Sequence, residues 1–239
     1  MSVNQEARPP TANWILSALP PEDYERLAPH LEPVNLTLNQ TIYPPHTPVT
    51  HVYFPENAMI SVVANSTDGA SVEVGVIGRE GMSGVAALLG VDGTTPTESM
   101  VQIADGALRM SAEVMRAEFN RSGAFQDRVL RYMQAYTIQT GQSAACNRIH
   151  TVEERLARWL LMTHDRAASD KLALTQEFIA MMLGCRRAGV TSAAITLQGD
   201  GFIRYSRGHI TLLDRAGLEE FSCECYQIVK TESDRLLKP

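Results

Sequence analysis

The chain is poor in cysteine. Cys146, Cys185, Cys223 and Cys225 are the four present in 239 residues. They are too few and too irregularly spaced for a disulfide framework, so the reading is a reducing compartment, the cytoplasm. No run of eighteen apolar residues occurs, and no basic–apolar–small leader is found. A cytoplasmic protein without a membrane partner is expected. The usual catalytic signatures are missing too. G-x-S-x-G, Walker A and H-E-x-x-H are all absent, which points away from an enzyme. The histidines (His30, His46, His51, His150, His164 and His209) are scattered, none with a partner at metal-ligand spacing. Cys223-x-Cys225 lacks a second nearby pair. Neither a metal nor a cofactor is therefore expected.

Charge is also lacking in one half. Residues 1–150 carry 9 Lys+Arg against 15 Asp+Glu, whereas 151–239 carry 12 of each. Within 172–213 four arginines face only Glu177 and Asp200. The least acidic surface thus coincides with the most informative stretch, and the acidic remainder discourages polyanions elsewhere.

That stretch is LALTQEFIAMMLGCRRAGVTSAAITLQGDGFIRYSRGH, residues 172–209. Thr175 is a natural N-cap, with Leu174 and Ile179 at staple positions. Phe178, Ile179 and Met182 give one apolar face, and Gly184 breaks the helix. A second helix is expected from about Arg187 to Gln198. Val190, Ala194 and Leu197 form its apolar stripe; Arg187, Ala188, Thr191, Ser192 and Ile195 lie opposite. The segment from Phe202 to Leu212 alternates about an Arg207-Gly208 turn, which is a hairpin signature. Helix, turn, helix and wing is a layout that places one helix in a major groove. An ordinary pair of packed helices gives much the same pattern, and Arg186-Arg187 at the start of the second helix favour the DNA-reading alternative.

With those residues in view, TQEFIAMMLGCRRAGVTSAAITLQGDGFI resembles the winged helix-turn-helix of the Crp/Fnr family of bacterial transcription regulators. The tail LLDRAGLEEFSCECY resembles that of a subgroup with no established effector. The resemblance implies an α+β fold: an N-terminal antiparallel β-roll (jelly roll), a long central dimerisation helix and the C-terminal winged helix-turn-helix. It implies double-stranded DNA with a palindromic operator as partner, a second copy of the chain, and RNA polymerase. The DNA-contacting set would be Thr175, Gln176, Arg186, Arg187, Thr191, Ser192, Arg207 and His209. Arg187 has the fork to read guanine and Arg207 suits a phosphate. Relatives usually carry Glu after the reading arginine; here Ala188 stands there, so the adjacent base should be read loosely. The alternative is a ligand-binding regulator that no longer binds DNA.

Read in order, residues 1–13 are polar, with Pro9-Pro10, and should be frayed. Trp14-Ile15-Leu16 is an apolar anchor, and Pro20-Pro21-Glu22-Asp23 opens a helix burying Tyr24, Leu27 and Leu31. Short alternating runs at Leu36/Leu38, Val52–Phe54, Met59–Ala64, Ser71–Ile77 and Met100–Ala104 predict strands. Turn residues, among them Asp68-Gly69, Gly78, Gly81, Gly90 and Asp92-Gly93, separate them, as in a sandwich or jelly roll. Ser111 caps a short helix. A long helix follows from Ala124 to about Asn147, and a hinge is expected near His150. Thr151 caps a helix burying Leu156, Trp159 and Leu160, and a last segment from Ala216 carries Leu218, Phe221, Tyr226 and Val229. The domain limits are 1–123 for the roll, 124–148 for the central helix and hinge, and 149–239 for the reader.

Two sites stay open at this level. The face of Val129, Tyr132, Met133 and Tyr136 reads either as buried core or as a dimer interface, and the interface is favoured. The turn with Glu80, Gly81, Met82 and Ser83, together with Ser99, is either an effector pocket or a plain connection. In cyclic-nucleotide-binding relatives a Gly-Glu pair holds the ribose and a later Arg-Ser pair clamps the phosphate. Glu80 matches the first, but 94–99 contains no arginine. An unidentified effector is therefore expected, and cyclic AMP or cyclic GMP is not.

Overall fold

The computed structural model describes residues 11–89 and 92–239. The expected polar end about Pro9-Pro10 and the turn at Gly90 lie outside the described residues. Asn13 caps α1 (Trp14–Ser17), accepting from the amides of Ile15 and Leu16. Its own amide group donates to Pro55 O at 3.0 Å and Gly81 O at 2.8 Å, which fastens the anchor to two turns of the roll. Pro21 starts α2 (Pro21–Leu27), with Glu22 and Asp23 at the positive end of its dipole.

The roll has two antiparallel sheets. One runs β1 (Glu32–Asn35), β7 (Gly106–Ser111), β3 (His51–Pro55). The other runs β2 (Thr41–Tyr43), β6 (Glu98–Ile103), β4 (Met59–Asn65), β5 (Ser71–Ile77). Four of the expected runs appear as β3, β4, β5 and β6. Leu36 and Leu38 do not; they lie between β1 and β2, and Leu38 is half exposed. The strands around them, β1, β2 and β7, lack clean alternation: β1 contains Pro33 and β7 begins at Gly106. The β4–β5 hairpin turns at Asp68-Gly69, where Gly69 takes a φ of 87°.

Ser111 caps α3 (Ala112–Phe119) by accepting from Val114 N. The central helix α4 (Ala124–Ile149) has 26 residues and ends at His150, which turns extended. Thr151 and Glu154 form a full capping box at the start of α5 (Val152–His164). The reader contains α6 (Gln176–Leu183), α7 (Arg187–Gly199) and a three-stranded sheet of β8 (Lys171–Ala173), β10 (His209–Leu212) and β9 (Ile203–Ser206). Strand β8 had no signal of its own; it completes the wing by pairing with β10. The tail forms two helices, α8 (Arg215–Phe221) and α9 (Cys225–Leu237), broken at residues 222–224.

Two cores result. The first fills the roll and includes Phe54, Met110, Phe125 and Val129, with Leu236 and Leu237 of α9 returning to it. The second is the reader core of Leu160, Ile179, Val190, Leu197 and Tyr226, and Met59, Val63 and Val76 of the roll reach into it. Roll and reader are thus in direct contact. Trp159 Nε1 donates to Glu73 Oε1 at 2.8 Å across that contact. Among the described residues no single helix is long and apolar enough to cross a membrane.

Candidate nucleic-acid interface

The reading element is built by local signals that agree with one another. Thr175 Oγ1 accepts from Phe178 N at 3.2 Å and starts α6. Leu174 and Ile179, the staple pair, are both buried. The helix ends at Gly184, whose φ of 58° favours glycine. Cys185 N donates to Ala180 O at 3.0 Å and Gly184 N to Met181 O at 3.2 Å, which closes the turn. The axes of α6 and α7 then cross at 107°, within the range of a helix-turn-helix.

Helix α7 is sharply two-sided. Val190, Ala193, Ala194 and Leu197 are buried, while Arg187, Ala188, Ser192 and Ile195 are exposed and Thr191 is half-buried. Ile195 keeps 66% of its surface in solvent among the described residues. The wing turns through Arg207 and Gly208, both at positive φ (48° and 77°), the tight hairpin turn suited to twisted strands. Holding Arg207 left-handed costs about 1–2 kcal/mol.

Thr175, Gln176, Arg187, Tyr205, Arg207 and Gly208 line one concavity of about 370 Å³ between the start of α6, the start of α7 and the wing. Four of the expected DNA contacts are thereby brought together. Thr191 borders them: its Oγ1 lies 2.9 Å from Gln176 Oε1 and 3.1 Å from Arg187 O. Its hydroxyl proton is thus engaged within the chain. His209 is exposed, with Nδ1 3.1 Å from Arg207 O. Arg186, the N-cap of α7, lines a separate depression beside the β4–β5 hairpin. Tyr205, absent from the expected set, lines the same concavity as Arg187 and Arg207, and Arg204, the preceding residue of β9, is exposed. Their signal was present, as the polar and aromatic positions of the alternating wing. None of Arg186, Arg187, Arg204 and Arg207 has a side-chain hydrogen bond or ion pair among the described residues.

The turn at 80–83 is filled. Glu80 pairs with Arg166 at 2.6 Å and also accepts from Gly78 N at 3.1 Å. Both side chains are about nine-tenths buried. The Tyr132 ring packs so closely on Gly81 that a Cβ there would lie 2.1 Å from it. Gly81 N donates to Gly78 O, and Ser83 N to Tyr53 O. The amides of Gly81 and Ser83 therefore have partners, while the buried Ser83 hydroxyl has none among the described residues. Met82 and Ser83 are buried beneath, and Ser99 sits on β6 opposite Tyr43 and Val62, without a hydrogen bond to the turn.

The same packing buries part of the face expected to form a dimer. Val129 and Tyr132 are 0% and 3% exposed within a single chain. They belong to the roll core, because α4 lies against β5 and the 78–83 turn. Tyr136 is half-buried against Gly75 and Met133 is half-buried. The exposed positions of α4 are Asp127, Leu130, Arg131, Gln134, Thr137, Gly141, Ala144, Arg148 and Ile149, of which Leu130, Gln134, Thr137, Gly141 and Ala144 form one uncharged stripe.

The spacing argument against a metal site also fails. Cys223 and Cys225 do meet a second pair, Cys146 and His150, one helical turn apart at the end of α4. The four ligand atoms all lie within 4.8 Å of one another. Cys146 Sγ is 3.6 Å from Cys223 Sγ, and Cys225 Sγ is 3.5 Å from His150 Nδ1. A C-x-x-x-H pair on a helix was legible; that it would meet a C-x-C turn 75 residues later was not.

Residues 154–221 match the model of the Crp-like helix-turn-helix domain. No curated protein matches the chain. Among solved structures, FixK2 from Bradyrhizobium japonicum superposes with a TM-score of 0.68 at 16% identity, over 81% of this chain and 98% of that one. A Crp/Fnr-family transcriptional regulator from Thermus thermophilus gives 0.66 at 18% identity, over 80% and 98%. The cyclic-di-GMP-responsive regulator CLP from Xanthomonas campestris gives 0.63 at 18%, over 80% and 98%.

Proposed function

The chain carries a Crp-like helix-turn-helix domain on the fold of the Crp/Fnr transcription regulators, and from that premise we propose that it is a sequence-specific, dimeric DNA-binding regulator with no catalytic step. The observation that carries the proposal is the exposed face of α7, where Arg187 shares a concavity with Arg207 of the wing, both without a side-chain partner among the described residues. Desolvated or paired arginines are spent on structure; these remain available to phosphates and base edges. That favours DNA binding over a regulator that has lost it. Arg187 donates in a fork to guanine O6 and N7, Ala188 leaves the next pair loosely read, and Arg207 holds a phosphate.

The dimer seam in this reading is Leu130, Gln134, Thr137, Gly141 and Ala144. These positions alternate steps of four and three, the spacing of a coiled-coil seam. The small residues allow the helices to approach closely, and a Cβ at Gly141 would meet nothing of its own chain. The roll passes its state to the reader where they touch, at Trp159–Glu73 and where Val72 meets the Gly184 turn. Cyclic AMP and cyclic GMP are not its signal: Glu80 is neutralised by Arg166, Tyr132 occupies the space over Gly81, and no arginine stands at 94–99 to hold a cyclic phosphate.

Selection of sites from a random duplex library tests the function. The expected product is a palindrome with a guanine in each half-site and half-sites about one turn, roughly 34–36 Å, apart. Recovery of no preferred sequence by folded dimer would overturn it.

A further inference from the structure

We propose that Cys146, His150, Cys223 and Cys225 bind one zinc-type divalent ion that ties the hinge after α4 to the turn between α8 and α9. A tetrahedral ion with Zn–S near 2.3 Å and Zn–N near 2.0–2.1 Å separates its ligands by roughly 3.5–3.8 Å. The sulfur–sulfur distance of 3.6 Å and the sulfur–imidazole distance of 3.5 Å fall in that range before any ligand moves. Three sulfurs and one imidazole nitrogen select a soft, four-coordinate ion over magnesium or calcium. An iron–sulfur cluster fits poorly, because it spreads its thiolates over several irons, further apart than the 4.8 Å that contains all four atoms here.

The surroundings are those of a ligand set. His150 turns Nδ1 toward the sulfurs, and its Nε2 lies 3.3 Å from the Glu224 carboxylate. A carboxylate behind the imidazole fixes the ring and its tautomer in metal sites. Gln142 Nε2 donates to Cys225 Sγ at 3.1 Å. Arg158, 4% exposed and with Nε unpartnered, lends its charge to Cys146. Three thiolates and a divalent ion sum to one negative charge, which that guanidinium balances. Buried cysteines alone behave as small apolar residues; they give no reason for an imidazole nitrogen aimed among them. Binding displaces the thiol protons to solvent as the thiolates coordinate, with no change of oxidation state.

The test uses the full-length protein and does not depend on DNA binding. Protein purified without chelator should contain one zinc per chain by elemental analysis. After chelator treatment and dialysis, cobalt(II) should restore one equivalent, with thiolate-to-cobalt absorption in the near ultraviolet and intense tetrahedral bands in the visible. Cys223→Ser and Cys225→Ser should lose that spectrum, and Cys185→Ser, outside the cluster, should keep it. Glu224→Gln should weaken affinity about 10–100-fold while the protein stays folded by circular dichroism. Folded protein that takes up neither ion overturns the site. So does a cobalt spectrum indifferent to Cys223→Ser, or a Cys146–Cys223 disulfide in metal-free protein as isolated.

Discussion

The arginines of the roll and those around the exposed face of α7 and the wing are used in opposite ways. In the roll and its borders they are consumed: Arg166 by Glu80, Arg109 by Glu32, Arg26 by Asp23 and Glu118, and Arg116 by Ala87 O. Around α7 and the wing, Arg186, Arg187, Arg204 and Arg207 have no side-chain partner among the described residues, whereas Arg155, Arg158 and Arg215 behind them are engaged. The residue type is the same, and only the surroundings decide its role. A paired, desolvated guanidinium holds a fold together; an unpaired one at the start of an exposed helix is available to another molecule.

The comparison breaks most visibly if the reader is deprived of its second copy. Gly141→Glu places a charge in the proposed seam and raises helix propensity, so α4 is expected to stay folded. Monomers by light scattering and a loss of about 10²–10⁴-fold in operator affinity are the expected results. A dimer that persists would move the interface elsewhere. Tyr132→Asp would not test assembly, because Tyr132 belongs to the roll core.

The next effect belongs to the consumed class. Arg166→Met leaves Glu80 buried without its partner. A loss of about 3–5 kcal/mol in urea unfolding is expected, whereas Arg187→Met should change stability little. Equal losses for the two would erase the distinction between them.

How much of this was legible depends on the range of each signal. Thr175, Gly184 and Arg207-Gly208 act within a few residues, and the reader built from them matches expectation almost element by element. The strands with clean alternation were legible as well, whereas β8 exists only because β10 pairs with it. Val129 and Tyr132 were correctly placed on an apolar face. Whether that face meets the roll or a second chain is set by Gly81 and Gly75, fifty residues earlier, and periodicity carries no such information. Cys146 and His150 meet Cys223 and Cys225 for the same reason: α9 returns along α4, a tertiary fact.

A smaller effect probes the contact between the halves. Burial raises the Glu73 carboxyl from 4.5 to about 7, against Ser61, Trp159 and the charges of Arg158 and Arg166. Below about pH 4.5 both folded and unfolded chains hold its proton. As the pH rises from there to about 7 the unfolded chain gives it up first, so this group's contribution to stability falls and then levels off. Glu73→Gln should flatten melting temperature against pH across that window; an unchanged slope would show that another group sets it.

The smallest expected change is at the wing. Arg207→Ala should weaken all duplexes alike and reduce the salt dependence by about one unit per half-site. A change of sequence preference in that variant would make the wing a base reader.

The central claim, that an unpaired arginine on α7 reads a base, is tested most directly by a cycle between protein and DNA. Affinities are measured for wild type and Arg187→Ala on the selected operator and on the same duplex with the half-site guanines replaced. Each single change should cost about 1–3 kcal/mol per half-site. Replacing the guanines should then cost the Arg187→Ala protein almost nothing, because the group that sensed them is gone. If the base change costs both proteins equally, the two changes are independent, and Arg187 does not read the guanine.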